Sequence, residues 1–334
     1  MMNEDRLGRP EHPDFSFHVP KKTGNRKLSI FIAAAFGFVL LLVIIIAIAS
    51  SQILPFLTGG RVALLEVNGA IYDARPLVEE LHKYRDNPSV KAIVVRLDTP
   101  GGSAAASQEL YEEMNKIRRG QWDKPIVASM GNVAASGGYY VACGADEIFA
   151  NPGTLTGSIG VIMNLPNFQK LVRKVGIRFE VIKSGEHKDI GSSVRPISEE
   201  ERLILQGVIN DVYHQFVDDI YATRHNALES SYSVNELFHD DNITTDPVKN
   251  YLLNLADGRI FSGKQAFEYG LVDSMGNLED AVQRAGKLAG IEGKPEVYQI
   301  KKKVGLLDML QGGVKQSLRQ FAPTAPSLEF RFVP

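Results

Sequence analysis

The apolar and polar positions divide the chain into a polar start, one long apolar run and a longer part in which short apolar runs alternate with polar ones. Residues 1–27 are polar and contain three prolines, which predicts a disordered tail. Residues 28–60 carry no charged side chain, and residues 30–49 are almost wholly apolar. About 20 such residues span a bilayer as a helix. This run predicts a transmembrane segment over residues 28–54.

A cleaved signal peptide is the competing interpretation of the same run. Its apolar region would be only about 7–15 residues long, shorter than this one, although the Ala-Ser-Ser that ends the run leaves cleavage open. We expect an uncleaved anchor. Because the basic residues Lys21, Lys22, Arg26 and Lys27 precede the run, the N-terminus should stay in the cytoplasm. The chain after Arg61 is then extracytoplasmic, on a single-pass anchor in the cell membrane.

From Arg61 onward, runs typical of strands alternate with segments of helical spacing. Strands are predicted over residues 61–67, 90–97, 125–130, 147–150, 178–183 and 296–300, and helices over residues 76–84, 105–119, 166–175, 198–223, 264–269 and 278–289. The run Val90–Leu97 is rich in β-branched residues, which is typical of a strand buried on both faces of a parallel sheet. The predicted fold class is α/β, with a largely parallel sheet whose right-handed βαβ units stack into one spiral-like domain over residues 61–300.

Two polar regions interrupt or follow this domain. Residues 224–250 contain Asp-Asp-Asn and Asp-Pro sequences, which predicts an irregular insertion or lid. Residues 301–334 end in a proline-containing stretch with few core positions, which predicts a flexible C-terminal tail.

The composition excludes some classes of protein but does not identify the function. The 334 residues carry a formal net charge of −2, so the chain as a whole offers no case for nucleic-acid binding. The lone cysteine, Cys143, excludes an intramolecular disulfide and a multi-cysteine metal site, and its apolar neighbours indicate a small buried side chain.

Residues 130–140 carry the strongest chemical indication, with the sequence Met-Gly-Asn-Val-Ala-Ala-Ser-Gly-Gly-Tyr-Tyr. They connect a predicted strand to a helical segment, and small residues surround the hydroxyl of Ser136. A serine at a strand-to-helix turn exposes its Oγ beside helix N–H groups, which suits a nucleophile that attacks a carbonyl. The same serine suits a helix N-cap. Taken alone, the stretch favours the cap.

A second glycine pair follows the predicted strand at residues 90–97. Because sites form where the strands of a parallel sheet end, the backbone N–H groups of Gly101 and Gly102 are candidates to bind an oxyanion that develops beside Ser136. A phosphate loop fits less well, since it needs a longer glycine pattern with a lysine. An ordinary turn stays the alternative, because a lone glycine pair is weak evidence.

A serine nucleophile needs a general base, and the loop at residues 183–191 contains two candidates. Of the seven histidines, only His187 lies in a predicted strand-end loop, and Lys188 follows it. Adjacent side chains on an extended segment point opposite ways, so only one of them can face Ser136. A lysine base must be neutral, which requires its removal from water. The residues alone leave a Ser–His and a Ser–Lys pair equally open.

Several motifs in one order resemble the signal peptide peptidase A family, which comprises membrane-anchored bacterial serine proteases related to the Clp protease and crotonase fold. They are Thr-Pro-Gly-Gly-Ser at 99–103, the stretch at 130–140, Gly-Ser-Ile-Gly-Val at 157–161, Lys-Ser-Gly-x-x-Lys-Asp at 183–189, Asp-Gly-Arg-x-Phe-x-Gly at 257–263 and Gly-Leu-Val-Asp at 270–273. The resemblance covers residues 62–289. It implies a Clp protease/crotonase-like spiral of βαβ units, preceded by one N-terminal transmembrane helix.

The resemblance also implies roles for individual residues. The family's nucleophile falls on Ser136 and its general base on Lys188. A serine that orients this lysine falls on Ser158, and the oxyanion-binding N–H groups fall on Gly101 and Gly102. His187 becomes a bystander.

The activity that the resemblance implies is a serine endopeptidase that degrades remnant signal peptides after their release from secreted proteins. It would be a homo-oligomer in the inner membrane and would need no metal or organic cofactor. A catalytically inactive membrane scaffold or peptide-binding protein of the same fold is the alternative. An acyl-CoA enzyme fits the fold, but acyl-CoA is absent outside the cytoplasm.

The chain departs from the family pattern in two places. Asp98-Thr99 replaces the usual Asn-Ser before Pro-Gly-Gly, which puts an acid near the site and could alter subsite preference. Residues 224–250 also form a longer link than is usual in the family.

Overall fold

The computed structural model of the chain describes residues 34–46, 60–120, 122, 124–234, 244–300 and 329–331. Two units are distinguished, residues 1–54 and residues 55–334. In the first unit, helix α1 covers residues 34–46. Among the described residues, no helix combines the length and the apolar character needed to cross a bilayer. The predicted tail at residues 1–27 and the rest of the predicted span lie outside the described residues.

The second unit alternates strands and helices. The strands are β1 (Arg61–Asn68), β2 (Val90–Thr99), β3 (Gly101–Ser103), β4 (Ile126–Ala135), β5 (Glu147–Ala150), β6 (Leu155–Gly157), β7 (Ile260–Ser262), β8 (Ser274–Met275), β9 (Glu296–Tyr298) and β10 (Glu329–Arg331). The helices are α2 (Arg75–Asp86), α3 (Ala104–Arg119), α4 (Gly137–Ala142), α5 (Gln169–Lys174), α6 (Glu199–Tyr232), α7 (Pro247–Leu255), α8 (Gly263–Glu268) and α9 (Leu278–Leu288).

One eight-stranded sheet forms the centre of this unit. Its main order is β7-β6-β4-β2-β1-β9, and β5 pairs with both β4 and β8. Among the described strands of this sheet, every pair except β6–β7 is parallel. A separate antiparallel pair joins β3 to β10. The predicted α/β class with a largely parallel sheet is confirmed.

Helices cover both faces of the sheet. On one face, Val62 and Val94 pack with Ala281 of α9. On the other face, Leu65 and Val95 belong to a larger core that includes residues of α2, α3, α4, α6 and α7. Because both faces are covered, most successive residues of the central strands are apolar, which explains the near-continuous apolar runs in the sequence.

Strand β4 pairs with three neighbours. Its first half pairs with β5 and its second half with β6, while β2 runs along its other side. Leu97 of β2 pairs with Met130, but Thr99 pairs with Ala134, so residues 131–133 bulge opposite one residue of β2. A bulge bends a strand and increases its twist. The bulge thereby redirects β4 just before it reaches Ser136.

Two elements predicted ahead of α6 differ from the structure. The strand predicted at residues 178–183 is irregular, and Ile182 in it is fully exposed. A strand requires a neighbour with unpaired backbone groups, and the edge of β6 is paired with β7 instead. The helix predicted at residues 166–175 shortens to α5, because Asn167 Oδ1 accepts the N–H of Gln169 at 2.9 Å and forms a turn before it.

The region predicted as an irregular insertion at residues 224–250 is helical at both ends. Helix α6 continues through Tyr232, and α7 begins at Pro247 after Asp246, whose carboxylate accepts the N–H groups of Val248 and Lys249. The polar composition that indicated a loop therefore belongs to an exposed helix face and a helix cap. Residues 235–243 lie outside the described residues, and the greater length of this link remains a prediction.

The predicted flexible tail at residues 301–334 contains one ordered segment. Residues 329–331 form β10, which pairs with β3 and therefore contradicts the prediction at this point. A short strand of this kind cannot be recognised from proline content, because its partner is more than 200 residues away in the chain. The other residues of the tail lie outside the described part of the chain.

A buried ion pair holds the extended end of α6 to the sheet. Arg224 is 5% exposed, and its guanidinium donates to both carboxylate oxygens of Asp273 at 2.7 and 2.8 Å. It also donates to the C=O of Gly270 at 3.2 Å. Asp273 accepts the N–H of Ile148 as well, at 2.8 Å, so the pair connects α6 to β5.

Substitution of Arg224 by alanine should lower the free energy of unfolding by about 3–5 kcal/mol, because Asp273 would keep a poorly hydrated charge without its cation. Urea unfolding followed by far-ultraviolet circular dichroism measures this loss. Arg75→Ala is the matched control, since the ion pair of Arg75 with Asp73 is exposed to solvent and should contribute little to stability. Equal losses in the two variants would contradict the role of the buried pair.

Candidate active site

Ser136 lies between β4 and α4 in a backbone conformation that few residues other than glycine adopt. Its φ is 54° and its ψ −116°, and its side chain makes no capping hydrogen bond. The N–H donates to Gly157 C=O at 2.7 Å, and the C=O accepts the N–H of Tyr140 at 2.9 Å. The structure thus does not give Ser136 the capping role. Strained backbone of this kind concentrates at active sites.

Ser158 lies beside Ser136 at the end of the neighbouring strand. Ala135 of β4 and Gly157 of β6 are paired in parallel, so the serines that follow them leave the sheet at the same edge. Ser158 also has a positive φ, 51°, and donates its N–H to Arg259 C=O at 2.8 Å. Both serines are buried, at 1% and 9% exposure. The two predicted hydroxyls are therefore brought together.

A cavity of about 600 Å³ is lined by both serines. Its other walls are the segment after Ser158, one face of α6 and the turn after α7: Ile159, Gly160, Val161 and Ile162; Ile209, Asn210 and Tyr213; Ala256, Asp257 and Gly258. The hydroxyl of Tyr213 donates to the C=O of Ala256 at 2.9 Å, which fastens α6 to this turn. Aliphatic side chains share the lining with polar groups, and the aliphatic part suits an apolar side chain of a ligand.

The turn at Gly101 and Gly102 lies beside the start of α4. Gly101 has a φ of 91°, which favours glycine, and a Cβ on Gly102 would lie 2.3 Å from the carbonyl oxygen of Ile71. A Cβ on Gly138, two residues after Ser136, would lie 3.9 Å from the backbone nitrogen of Gly101. Both glycines are thus required by the backbone, and the turn that they form is close to the serine.

The two N–H groups of this turn point in different directions. The backbone N–H of Ile71 donates to the Gly101 C=O, and the Ile71 C=O accepts the Ser103 N–H. Because backbone groups alternate along a strand, the N–H and C=O of Gly102 face the other edge of β3. The Gly101 N–H donates to Thr99 Oγ1 at 3.1 Å. Of the two predicted oxyanion donors, Gly102 faces the edge of β3 that pairs with β10, whereas the Gly101 N–H is engaged by Thr99.

The edge of β3 is one side of a groove that holds an extended segment of this chain. Strand β10 runs antiparallel to β3, with Glu329 opposite Ser103. On its other side, Glu329 exchanges two backbone hydrogen bonds with Ile162, at 3.0 and 3.1 Å. Ile162 also lines the cavity. The groove between β3 and Ile162 therefore binds extended backbone beside Ser136.

The predicted base, Lys188, is not brought to the two serines. Its side chain is exposed, and it is not among the residues that line the cavity. Residues 164–188 are exposed almost throughout, so few contacts determine the position of this segment against the site.

An ion network fastens the loop that carries the predicted base to the start of α6. Arg195 donates to both carboxylate oxygens of Asp189, at 2.8 and 2.9 Å, and to Glu201 at 2.8 Å, while Lys183 donates to Asp189 at 2.6 Å. Hydrogen bonds from Arg195 and Lys183 hold the pKa of Asp189 well below its usual range, and Arg195 likewise lowers the pKa of Glu201. Because both pKa values are lowered, these carboxylates stabilise the fold at neutral pH and lose this effect as the pH falls through the acidic range.

His187 lies on the same loop and does not line the cavity either. Its Nε2 is 3.6 Å from Glu200 Oε1 at the start of α6, and its buried Nδ1 has no hydrogen-bond partner among the described residues. Neither His187 nor Lys188 is thus brought to the serines, and the bystander role of His187 stays a prediction.

Two parts of the site were not predicted. Ile209 and Tyr213 of α6 line the cavity, and Thr99 binds the glycine turn. The apolar stripe of α6 predicted that this helix packs on something, but periodicity alone does not say which site a helix crosses. The unusual Asp98-Thr99 sequence before the glycines was the available indication for Thr99.

Comparison with known proteins places the chain among peptidases. The sequence profile of peptidase family S49 matches residues 118–236 and 244–292. A protein of Synechocystis sp. that is provisionally described as a protease is 42% identical over 269 residues, which cover 79% of this chain and 88% of that protein. Protease 4 of Salmonella typhi is 31% identical over 281 residues, covering 81% of this chain and 41% of that protein. The solved 1510-N membrane-bound stomatin-specific protease in complex with a substrate peptide has a TM-score of 0.43 and 16% identity, covering 77% of this chain and 99% of that one.

The family match and the relatives with protease names define the class of the protein as a serine peptidase. The chain belongs to peptidase family S49, in which relatives carry the names protease 4 and signal peptide peptidase A. The latter relative, from Enterococcus faecium, is 35% identical over 240 residues, covering 68% of this chain and 63% of that protein.

Removal of residues 329–334 should lower the KM for peptide substrates, because β10 occupies the groove as an intramolecular competitor with an effective concentration on the order of mM. Steady-state hydrolysis of a fluorogenic peptide by the full and the shortened chain measures the change. A synthetic peptide with the sequence of residues 327–334 should inhibit the shortened chain, and a scrambled peptide of the same composition is the control. An unchanged KM would show that β10 does not compete with substrate.

Proposed function

We propose that this protein is a membrane-anchored, extracytoplasmic serine endopeptidase with a Ser136–Lys188 dyad that degrades remnant signal peptides. The observation that carries the proposal is the pairing of Ser136 and Ser158 in one largely apolar cavity, beside a groove that binds extended backbone. Endopeptidases bind their substrates as extended strands, and an edge strand such as β3 supplies the backbone groups for this.

In the proposed reaction, neutral Lys188 takes the proton from the Ser136 hydroxyl, and the Oγ attacks the scissile carbonyl carbon. The carbonyl π electrons move onto the oxygen, which the Gly102 N–H stabilises. The tetrahedral intermediate then expels the amine, which takes the proton from the Lys188 ammonium. Water, deprotonated by Lys188, hydrolyses the acyl-enzyme and releases Ser136.

Ser158 suits the role of a lysine-orienting hydroxyl because it lies beside Ser136 and lines the same cavity. A hydroxyl that accepts a hydrogen bond from the lysine amine would direct its lone pair toward the nucleophile, as the third member of a triad does. Lys188 has to enter the cavity for this step, and its exposed loop must therefore move against the serines.

The proposed partner is a second copy of the chain, which packs against the exposed region around the Lys188 loop and so forms a homo-oligomer. Apolar side chains are exposed on α5, on the following segment and on the first turns of α6: Leu171, Val175, Ile177, Phe179, Val181, Ile182, Leu203 and Val208. An exposed apolar patch of this extent marks an interaction surface. Analytical ultracentrifugation of the purified chain measures the assembly, and a monomer at all concentrations would argue against it.

The choice of substrate rests on the apolar walls of the cavity, the apolar run at residues 28–54 and the name of the Enterococcus faecium relative. Remnant signal peptides are short, apolar and left in the membrane, so a peptidase anchored beside them meets them there. A synthetic signal peptide should be cleaved in detergent micelles faster than a polar peptide of equal length, as measured by mass spectrometry.

Ser136→Ala and Lys188→Ala should each lower peptidase activity by at least about 10³-fold, because they remove the nucleophile and its base. His187→Ala should keep activity. The full chain in detergent, a fluorogenic peptide with an apolar P1 residue and a check of folding by circular dichroism provide the test.

Three other outcomes would change the proposal. Loss of activity in His187→Ala with retention in Lys188→Ala would make the protein a Ser–His peptidase. A folded chain without activity in any form would favour the scaffold. Tight binding of CoA by the chain would favour the acyl-CoA enzyme.

A further inference from the structure

The last two residues of β2, Asp98 and Thr99, contact both halves of the candidate site. On one side they adjoin the Gly101 turn that bears the predicted oxyanion donors, and on the other they adjoin the stretch at residues 130–140 that bears Ser136. We refer to Asp98 and Thr99 together as the β2 clamp. Neither residue lines the cavity.

The carboxylate of Asp98 binds the bulge of β4. One oxygen accepts the Val133 N–H at 3.2 Å, and the other accepts the Asn132 side-chain N–H at 3.0 Å. Gly131 leaves room for it, because a Cβ there would lie 3.0 Å from the Asp98 carboxyl carbon. The carboxylate is thus committed to β4. Its effect on subsite preference stays a prediction.

Thr99 is wedged between the glycine turn and the first residues of α4. It is fully buried, and its Oγ1 accepts the Gly101 N–H at 3.1 Å. Its methyl group reaches to within 2.7 Å of the place that a Cβ of Gly138 would take. The hydroxyl therefore fixes the turn, and the methyl group fixes the distance to the helix that follows Ser136.

We propose that the β2 clamp consists of positioning residues that set the Ser136 hydroxyl and the Gly102 N–H at the separation that the tetrahedral intermediate requires. The inference rests on the proposed peptidase function and deepens it. Because Thr99 engages the Gly101 N–H, it leaves Gly102 as the donor that faces the groove. Asp98 acts on the other partner, since the bulge that it binds aims the last residues of β4 toward Ser136.

A clamp of this kind acts on the transition state rather than on substrate binding. The oxyanion exists only after attack, so a displaced donor weakens an interaction that the bound substrate does not make. Backbone pairing of the substrate with β3 stays available. Loss of the clamp should therefore lower kcat and leave KM nearly unchanged.

The test compares shape-conserving variants of the full chain in detergent. Thr99→Val keeps the volume and removes the hydroxyl, and it should lower kcat about 10- to 100-fold, since misplacement by about 1 Å costs up to about 100-fold. Thr99→Ser keeps the hydroxyl and its hydrogen bond to Gly101 but loses the methyl contact, so its kcat should lie between those of the wild-type chain and Thr99→Val. Asp98→Leu keeps a similar shape but removes both acceptors, which leaves the Val133 N–H without its partner, and it should lower kcat about tenfold.

A second measurement separates positioning from general loss of structure. A peptide aldehyde forms a tetrahedral adduct with a serine and reports on the oxyanion site, so its affinity should fall in Thr99→Val by the same factor as kcat/KM. The affinity of the corresponding peptide alcohol, which forms no adduct, should stay the same. Thr223→Val is the matched control, because Thr223 also bonds to backbone carbonyls but lies on α6.

The outcomes distinguish the two levels of the proposal. If the wild-type chain is inactive, or Ser136→Ala remains active, the peptidase proposal itself fails. If the wild-type chain is active but Thr99→Val and Asp98→Leu match it in kcat, the clamp is refuted while the peptidase stands. Equal losses of aldehyde and alcohol affinity would also refute it. Should Thr99→Val not fold, as judged by circular dichroism, Asp98→Leu decides the question.

Discussion

The site depends on one constraint, the parallel pairing of β2, β4 and β6. Parallel neighbours end at the same edge of a sheet, so Thr99, Ser136 and Ser158, which close or follow these strands, come to lie side by side. The sheet is buried under helices on both faces, which keeps this edge rigid. A peptidase site needs groups held to fractions of an ångström, and strand ends in a packed core provide such precision better than loops do.

Backbone strain is concentrated at this edge. Ser136 and Ser158 both adopt positive φ values without being glycines, and Gly101 and Gly157 do so beside them. Each strained residue other than glycine costs on the order of 1–3 kcal/mol, which a core of this size offsets. The positive φ values turn the backbone out of strand geometry at both serines, which line the same cavity.

The sequence predicted the part of this arrangement that local patterns encode. β-branched runs identified β1 and β2, and small residues around Ser136 identified the strand-to-helix turn. Three features of the fold were not predicted, because each depends on residues that are distant in the sequence. Helix α6 extends past residue 223 because Arg224 forms an ion pair with Asp273. Residues 178–183 stay irregular because β7 pairs with the edge of β6. Strand β10 forms because the edge of β3 is available for pairing. The placement of Lys188 remains a prediction, since exposed residues around it supply few contacts.

The close packing of Asp98 on Gly131 and of Thr99 on Gly138 has a consequence for how the chain can diverge. A side chain larger than glycine at position 138 needs a smaller residue at position 99, and the same exchange links positions 131 and 98. A substitution at one position of a pair is then tolerated only if the other position changes at the same time or soon afterwards. Related chains should therefore vary at these positions as coupled pairs.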